Sequence, residues 1–476
     1  MQDLTTGSIT RHLLKTMGFM LLMMVFQTLY VLIDLYWVGR LGTSAVAAVG
    51  IAGNLTFMVL ALTQMLAVGT TTVVAHAIGQ RDTGAARLRF NQSISLAFVC
   101  GILFLGVALA LRTRYAFTQS ADAETAVLAA RYLIWFIPAM ALQFPLVAMS
   151  AALRGTGNFK LGVAVGVATI VINIVVAPLL IFGWLGAPAI GISGAAIASL
   201  IAIAVGNAWL ALHFRHDAVL RYARDEWRPR VVEWKRTLAI GLPAGFDFAM
   251  MAVYLFIVYA VTKPFGSAAQ AGFGIGMRIM QAGFMPVIAL GMAVAPIAGQ
   301  NFGARHADRV RHTCRDGALL AVVMMGLFFI LCHVAPSGLI RVFTHDASAI
   351  AVGDEYLRVV SWSFLASGVV FVTGSMFQAM GNTMPSIFIS LVRVLVVAIP
   401  VFVLSRAPGF QLTTIWHLGV FSVWSQLALA LLLLRREFSR RLNFAPRDAT
   451  GDADAVRAGA EGITAGAGLA ATVVAE

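Results

Sequence analysis

Long apolar runs recur along this chain from end to end, and polar residues gather in short stretches between them. Each run holds about 20 residues, the length that crosses a bilayer as a helix. Backbone amides in lipid must be paired within the segment, and a segment read alone does that as a helix. The short alternating segments of a membrane barrel are a different pattern. The runs predict helices near 13–38, 45–72, 93–111, 126–152, 161–183, 190–213, 237–262, 271–298, 317–339, 356–379, 386–405 and 413–434. The first run, from about Leu13 to Val38, is too long for the apolar core of a cleavable leader and lacks a small-x-small site, so it reads as the first span.

The segments between runs alternate in charge. Arg81, Arg87 and Arg89 fall in one, and Arg305, Arg309, Arg311 and Arg315 in another. The stretch from Arg215 to Arg236 holds seven Lys or Arg, and Arg435 to Arg447 holds five. The opposite segments carry single charges or a pair, such as Arg40, Lys263, or Arg112 with Arg114. By the positive-inside rule the basic segments are cytoplasmic, with both termini inside a bacterial inner membrane. The expected organisation is a six-helix bundle over 1–213, a basic linker over 214–236, a second six-helix bundle over 237–434, and a largely disordered cytoplasmic tail over 435–476 that is rich in Ala, Gly and Asp.

Composition agrees. Charged residues make up 12% of the chain, about half the ~25% usual for soluble domains, and the mean hydropathy is +0.86. The net charge of +13 follows from the cytoplasmic segments and calls for no nucleic acid partner. Cys100, Cys314 and Cys332 lie within or beside apolar runs without metal spacing and read as packing residues.

The chain repeats itself at an offset of 224 residues. Gly42 meets Gly266, Ala45 meets Ala269, Gly50 meets Gly274 and Ile51 meets Ile275. Gly79, Arg81 and Arg87 meet Gly303, Arg305 and Arg311. Tyr132-Leu133 meets Tyr356-Leu357, and Gly157-Asn158 meets Gly381-Asn382. Each half has six helices, so both enter the membrane in the same sense and are related by a pseudo-twofold axis along its normal. Two such bundles rocking about a shared gap are a common architecture of secondary transporters.

Several stretches resemble the MATE (multidrug and toxic compound extrusion) family. Asp34-Leu35-Tyr36-Trp37-Val38-Gly39-Arg40-Leu41-Gly42 resembles the end of that family's first helix and its turn. Ala75-His76-Ala77-Ile78-Gly79 and Gly299-Gln300-Asn301-Phe302-Gly303-Ala304 resemble the paired patterns after helices two and eight, and Leu153-Arg154-Gly155-Thr156-Gly157-Asn158 the loop after helix four. The similarity covers roughly residues 10–440. It implies a V-shaped pair of bundles that exports amphipathic, often cationic, organic compounds by alternating access, driven by inward flow of protons or sodium. It implies no other cofactor, and a single chain as the transport unit. The chain departs from the pattern where one branch carries an aspartate four residues after the helix-five asparagine. Here Asn173 is followed by Ala177, and the tenth helix has no acid between Val369 and Gln378. Both departures weaken a sodium preference.

An ionisable group inside the membrane is costly, and so a functional candidate. Asp34 shares a helix face with Gln27 and Tyr30, seven and four residues earlier. An acid that is costly to keep charged in apolar surroundings is suited either to carry a proton or, with oxygens from neighbours such as Asn173, to bind sodium. A purely packing role, with local hydroxyls or with Arg154, is the plainer reading. Asp247 in the seventh helix and Arg278 in the eighth both fall near mid-membrane, where they form either a fixed pair or a coupling element. Gln64, Asn173 and Asn207 line a cavity or hold helices together. Met20, Met23, Met24, Met280, Met285 and Met292 offer an adaptable wall or plain packing. Pro138, Pro145, Pro178, Pro243, Pro286 and Pro296 mark bends.

Two other functions compete with transport of such compounds. A flippase for lipid-linked saccharides would need several cavity cations for a diphosphate, and Arg278 and Arg393 are the only well-embedded ones. A membrane glycosyltransferase would need an acidic loop domain, and the outer segments near 112–125 and 340–355 are too short despite Asp122, Glu124, Asp346, Asp354 and Glu355. No Gly-x-x-x-x-Gly-Lys-Ser/Thr loop occurs, so no ATPase site is present, and no His or Cys cluster has metal spacing.

Overall fold

The computed structural model describes residues 2–404 and 411–444. The tail expected to be disordered, from 445 on, and the expected helix end at 405 lie outside them. The described residues are helical with no strand, and twelve spans are long and apolar enough to cross a membrane. The first half comprises α1 (Ile9–Gly39), α2 (Thr43–Gly79), α3 (Thr83–Gln119), α4 (Ala123–Gly155), α5 (Phe159–Phe182) and α6 (Ile192–His216). The second comprises α7 (Val231–Thr262), α8 (Ser267–Gly303), α9 (Ala307–Val334), the short α10 (Pro336–Arg341), α11 (Ala347–Val360), α12 (Phe364–Ala379), α13 (Met384–Leu404) and α14 (Leu412–Arg441). The tenth span is α11 and α12, joined through one tight turn at Ser361–Ser363.

The helices overrun the apolar runs that reveal them. Hydropathy marks only the lipid-crossing stretch, whereas intrahelical hydrogen bonding continues into the polar layer. So α3 starts ten residues before 93, and Arg87 and Arg89 stand on its first turns rather than in a loop. The last helix continues past 434 to Arg441. The segments near 112–125 and 340–355, expected on the outer side, are mostly helix, and their acids serve it. Asp122 and Asp346 cap α4 and α11 by accepting from Thr125 N and Ser348 N. Hydrogen bonds from Thr125 and Ser348 hold these two carboxyls below the usual carboxylate range. Asp354 accepts from Ser337 and Arg358, and Glu355 from Thr413.

The linker between the halves is strapped to α3. Arg87 pairs with Glu226 at 2.8 Å, Asn91 Nδ2 donates to Arg221 O, and Trp227 Nε1 donates to Asn91 Oδ1.

The repeat is visible in the backbone. Gly42 and Gly266 have φ of 110° and 88°, Arg81 and Arg305 of 59° and 60°, and Gly157 and Gly381 of 76° and 70°. Every one of these pairs is separated by the sequence offset. Contacts across the axis are reciprocal too. A methyl added at Gly79 would lie 2.0 Å from the Gln300 carbonyl oxygen, and one at Gly303 would lie 2.3 Å from that of His76. His76 and Gln300 are themselves 224 apart. Thus α2 and α8 cross on the axis backbone to backbone, and α1 packs on α8 as α7 packs on α2.

That crossing lies at the basic end of the molecule, and the N-terminal residues fill the seam beside it. Leu4 is fully buried there. Its N–H donates to Gln300 Oε1 at 3.0 Å, and its carbonyl accepts from Asn301 Nδ2 at 3.1 Å. Gln300 Nε2 donates to Gly155 O of the first half at 2.8 Å, and Gln2 N to Thr156 O at 3.2 Å. Towards the other end, α2 is exposed at Asn54, Phe57, Met58, Leu60 and Leu62, and a methyl at Gly50 or Gly53 would meet nothing. The halves are therefore joined at the basic end and parted at the other, which is the V shape.

Candidate functional site

Near its C-terminal end α1 carries the stripe the sequence predicts. Gln27 is exposed, while Tyr30 and Asp34 are half-buried. The Tyr30 hydroxyl is 3.4 Å from Ser199 Oγ of α6, and Asn173 Nδ2 of α5 donates to the same oxygen at 2.9 Å. Ser199 donates in turn to Ala195 O at 3.2 Å. Three helices therefore meet on one hydroxyl, with Asn173 and Ser199 both buried. Asp34, one turn beyond Tyr30, is left out of this network. Its Oδ1 is buried without a hydrogen-bond partner, and the carboxyl joins no ion pair among the described residues. It lies close enough to Tyr30 and to the buried Tyr132 of α4 to act on both electrostatically. Arg154 does not reach it; that residue stands on the last turn of α4, next to the basic-end contact at Gly155.

The sequence profile of the MatE family matches residues 20–179 and 243–404. This chain belongs to the MatE family. The two matched stretches begin 223 residues apart and end 225 apart, bracketing the offset of the internal repeat. The chain is 27% identical over 410 residues to the probable multidrug resistance protein YoeA of Bacillus subtilis, with 83% of this chain and 87% of that one covered. It is 23% identical to the FAD transporter of Shewanella oneidensis, covering 78% and 82%. Its fold superposes with a TM-score of 0.83 on a solved outward-facing conformation of a multidrug resistance MATE family transporter of the MOP superfamily. That match covers 93% of this chain and 98% of the other at 22% identity. The MatE match makes this chain a multi-pass membrane transporter and not an enzyme.

Elsewhere in this MatE protein one expectation needs correcting. Asp247 and Arg278 form no pair. Asp247 Oδ1 accepts from Ser390 Oγ of α13 at 2.6 Å, whereas Arg278 is exposed and joins no ion pair among the described residues. Equal depth along two helices does not make their side chains face each other. α7 packs on α2 and α13 and scarcely on α8.

Asn207 Nδ2 donates to Leu142 O at 3.0 Å and to Ile203 O at 2.9 Å, which ties α6 to α4. Gln64 is half-buried on α2. Met23 packs on Gly166 of α5, and Met280 approaches the Tyr356 hydroxyl. The three cysteines are free, and no group of three or more His, Cys, Asp or Glu gathers among the described residues. Ser199 is the site residue that sequence reasoning missed. A serine in an apolar helix is ordinary interhelical glue, and only its two partners on other helices single it out.

Proposed function

We propose that this MatE transporter is a proton-coupled antiporter. It exports amphipathic, often cationic, organic compounds across the bacterial inner membrane by alternating access, with both termini in the cytoplasm. The observation that carries the reading is Asp34, a carboxyl with a buried, unpartnered oxygen among α1, α4, α5 and α6 in a molecule parted at one end. A lone carboxyl exchanges one proton. A hard cation such as sodium is held by several oxygens together, and the nearby polar groups Tyr30, Asn173 and Ser199 are bound to each other instead. Asp34, Gln27, Tyr30 and Asn173 form the coupling and cavity wall of the first half. Gln64, Asn207 and Arg278 are the outlying polar positions of the same transport path. Asp247 serves the second half through Ser390.

Orientation rests on the arginines. Arg81, Arg87, Arg305 and Arg309 share the closed end, so that end is cytoplasmic by the positive-inside rule, and the parted end faces outward. A proton reaches Asp34 from outside, the halves rock, and the proton leaves as the cytoplasmic end opens to take up the compound. The names of the multidrug relatives support this substrate class over a lipid-linked saccharide or a glycosyl donor.

Ethidium efflux from proteoliposomes, with the proton and sodium gradients collapsed separately, tests the reading. Dissipating the proton gradient should stop efflux and dissipating the sodium gradient should leave it running. The reverse result would sink proton coupling, and no efflux under either gradient would sink the exporter.

A further inference from the structure

We propose that the second half holds a binding site for an anionic group, a carboxylate or phosphate, on the transported compound, and that Arg393 is its centre. The inference rests on the transport reading above and adds to it the charge of the substrate.

Arg393 stands in α13, within an otherwise apolar stretch from Leu391 to Leu404. Its guanidinium carbon lies 4.6 Å from the centre of the Tyr254 ring. Its Nε is buried without a hydrogen-bond partner, and the side chain joins no ion pair among the described residues. A guanidinium carries five N–H donors and is always charged. A cation in a membrane-spanning helix is expensive unless an anion answers it, and one aromatic face is a weak substitute. The acid on this seam does not answer it, because Asp247 is bonded to Ser390, three residues before Arg393, and is not ion-paired with the arginine. Arg393 is close enough to Tyr356 to act on it electrostatically. The Tyr356 hydroxyl is occupied by Met277 Sδ at 3.2 Å, and its ring meets those of Phe273 and Trp416 edge-on at 5.4 and 4.8 Å. The free donors therefore stand beside an aromatic cluster.

The repeat gives this arrangement its meaning. Tyr254 and Tyr356 are the counterparts of Tyr30 and Tyr132 at the 224-residue offset. In the first half those tyrosines flank Asp34, whose own counterpart is the buried Val258. The counterpart of Arg393 is Thr169. The same two-tyrosine frame thus holds a carboxyl in one half and a guanidinium in the other. An aromatic compound with a positive group at one end and a carboxylate or phosphate at the other complements both.

The test uses full-length protein, rhodamine B, which carries a free benzoate, and rhodamine B ethyl ester, the same dye without the anion. Binding is read by fluorescence polarisation in detergent. Wild type should prefer the free acid, and Arg393→Gln should lose about tenfold or more in affinity for it while binding the ester unchanged. Arg393→Lys should keep part of the preference, since it keeps the charge. Equal affinity of wild type for the two dyes would overturn the anion site, as would equal loss of both dyes in Arg393→Gln and Arg393→Lys. If wild type exports the ester but does not favour the acid, the anion site alone falls. If it neither binds nor exports either dye, the exporter reading falls with it.

Discussion

The two halves of this MatE transporter keep the same turns, the same axial glycines and the same tyrosine pairs, yet they carry different polar groups. Tyr30 and Tyr132 correspond to Tyr254 and Tyr356, while Asp34 corresponds to Val258 and Asn173 to Val397. Positions that shape the backbone recur because both bundles must cross on one axis. Gly79 and Gly303 each face a carbonyl of the other half with no room for a side chain. The polar positions do not recur in this way, and on the proposed mechanism a single coupling carboxyl in the first half suffices. Symmetry therefore reports architecture, and departures from it report function.

The largest expected effect breaks the halves apart functionally. Asp34→Asn should reduce gradient-driven ethidium efflux at least about tenfold, on the scale of losing a coupling group in the membrane. Asp247→Asn should leave most of it, since an amide can still accept from Ser390. Initial efflux rates from proteoliposomes compare the two directly, and equal losses would erase the division of labour.

Gly79→Ala and Gly303→Ala should act alike, because they sit on the shared frame. Each drives a methyl into a carbonyl oxygen of the opposite half, an overpacking that costs about 1–3 kcal/mol. Both should lower the thermal midpoint and raise the reactivity of a cysteine placed at Thr156 towards a thiol reagent added from the cytoplasmic side. A strong effect from one and none from the other would contradict the reciprocal crossing.

Gln300→Ala should have a smaller effect and should part it from its counterpart. It leaves Leu4 N and Gly155 O without their partner, a loss of about 1–3 kcal/mol for buried groups, and loosens the N-terminal strap. His76→Ala removes a bond to Ala379 O and a ring contact with Phe302 but leaves that strap in place. Proteolytic sensitivity near residues 2–8 should rise in the first variant and not in the second. The smallest effect belongs to Asn207→Ala, which removes one tie between α6 and α4. It should cost about 0.6 kcal/mol, seen as a slight fall in the melting midpoint.

Much of the fold was legible because lipid imposes a length on each span and a duplicated chain imposes an offset. Both are properties of the sequence read along itself. Asp34 was legible for a related reason, since a charge in an apolar run stands out without any partner. What was hidden depends on contacts between distant residues. Ser199 gathers Tyr30 from 169 residues away, and Leu4 meets Gln300 at a separation of 296. No local pattern announces either contact. The pairing of Asp247 with Arg278, one of two readings of those residues, used depth alone, and depth says nothing about which way a helix is turned. Helix ends were mostly set too far in towards the membrane, because polar turns beyond the apolar run still bond as helix.

The central claim is that the unpartnered carboxyl of Asp34 carries the proton exchanged for substrate. Proteoliposomes with a pH-sensitive dye inside and ethidium loaded with it measure that exchange directly. Wild type should acidify the interior as ethidium leaves, and Asp34→Asn should bind ethidium yet move no protons. Proton movement of wild-type size in Asp34→Asn would contradict the account.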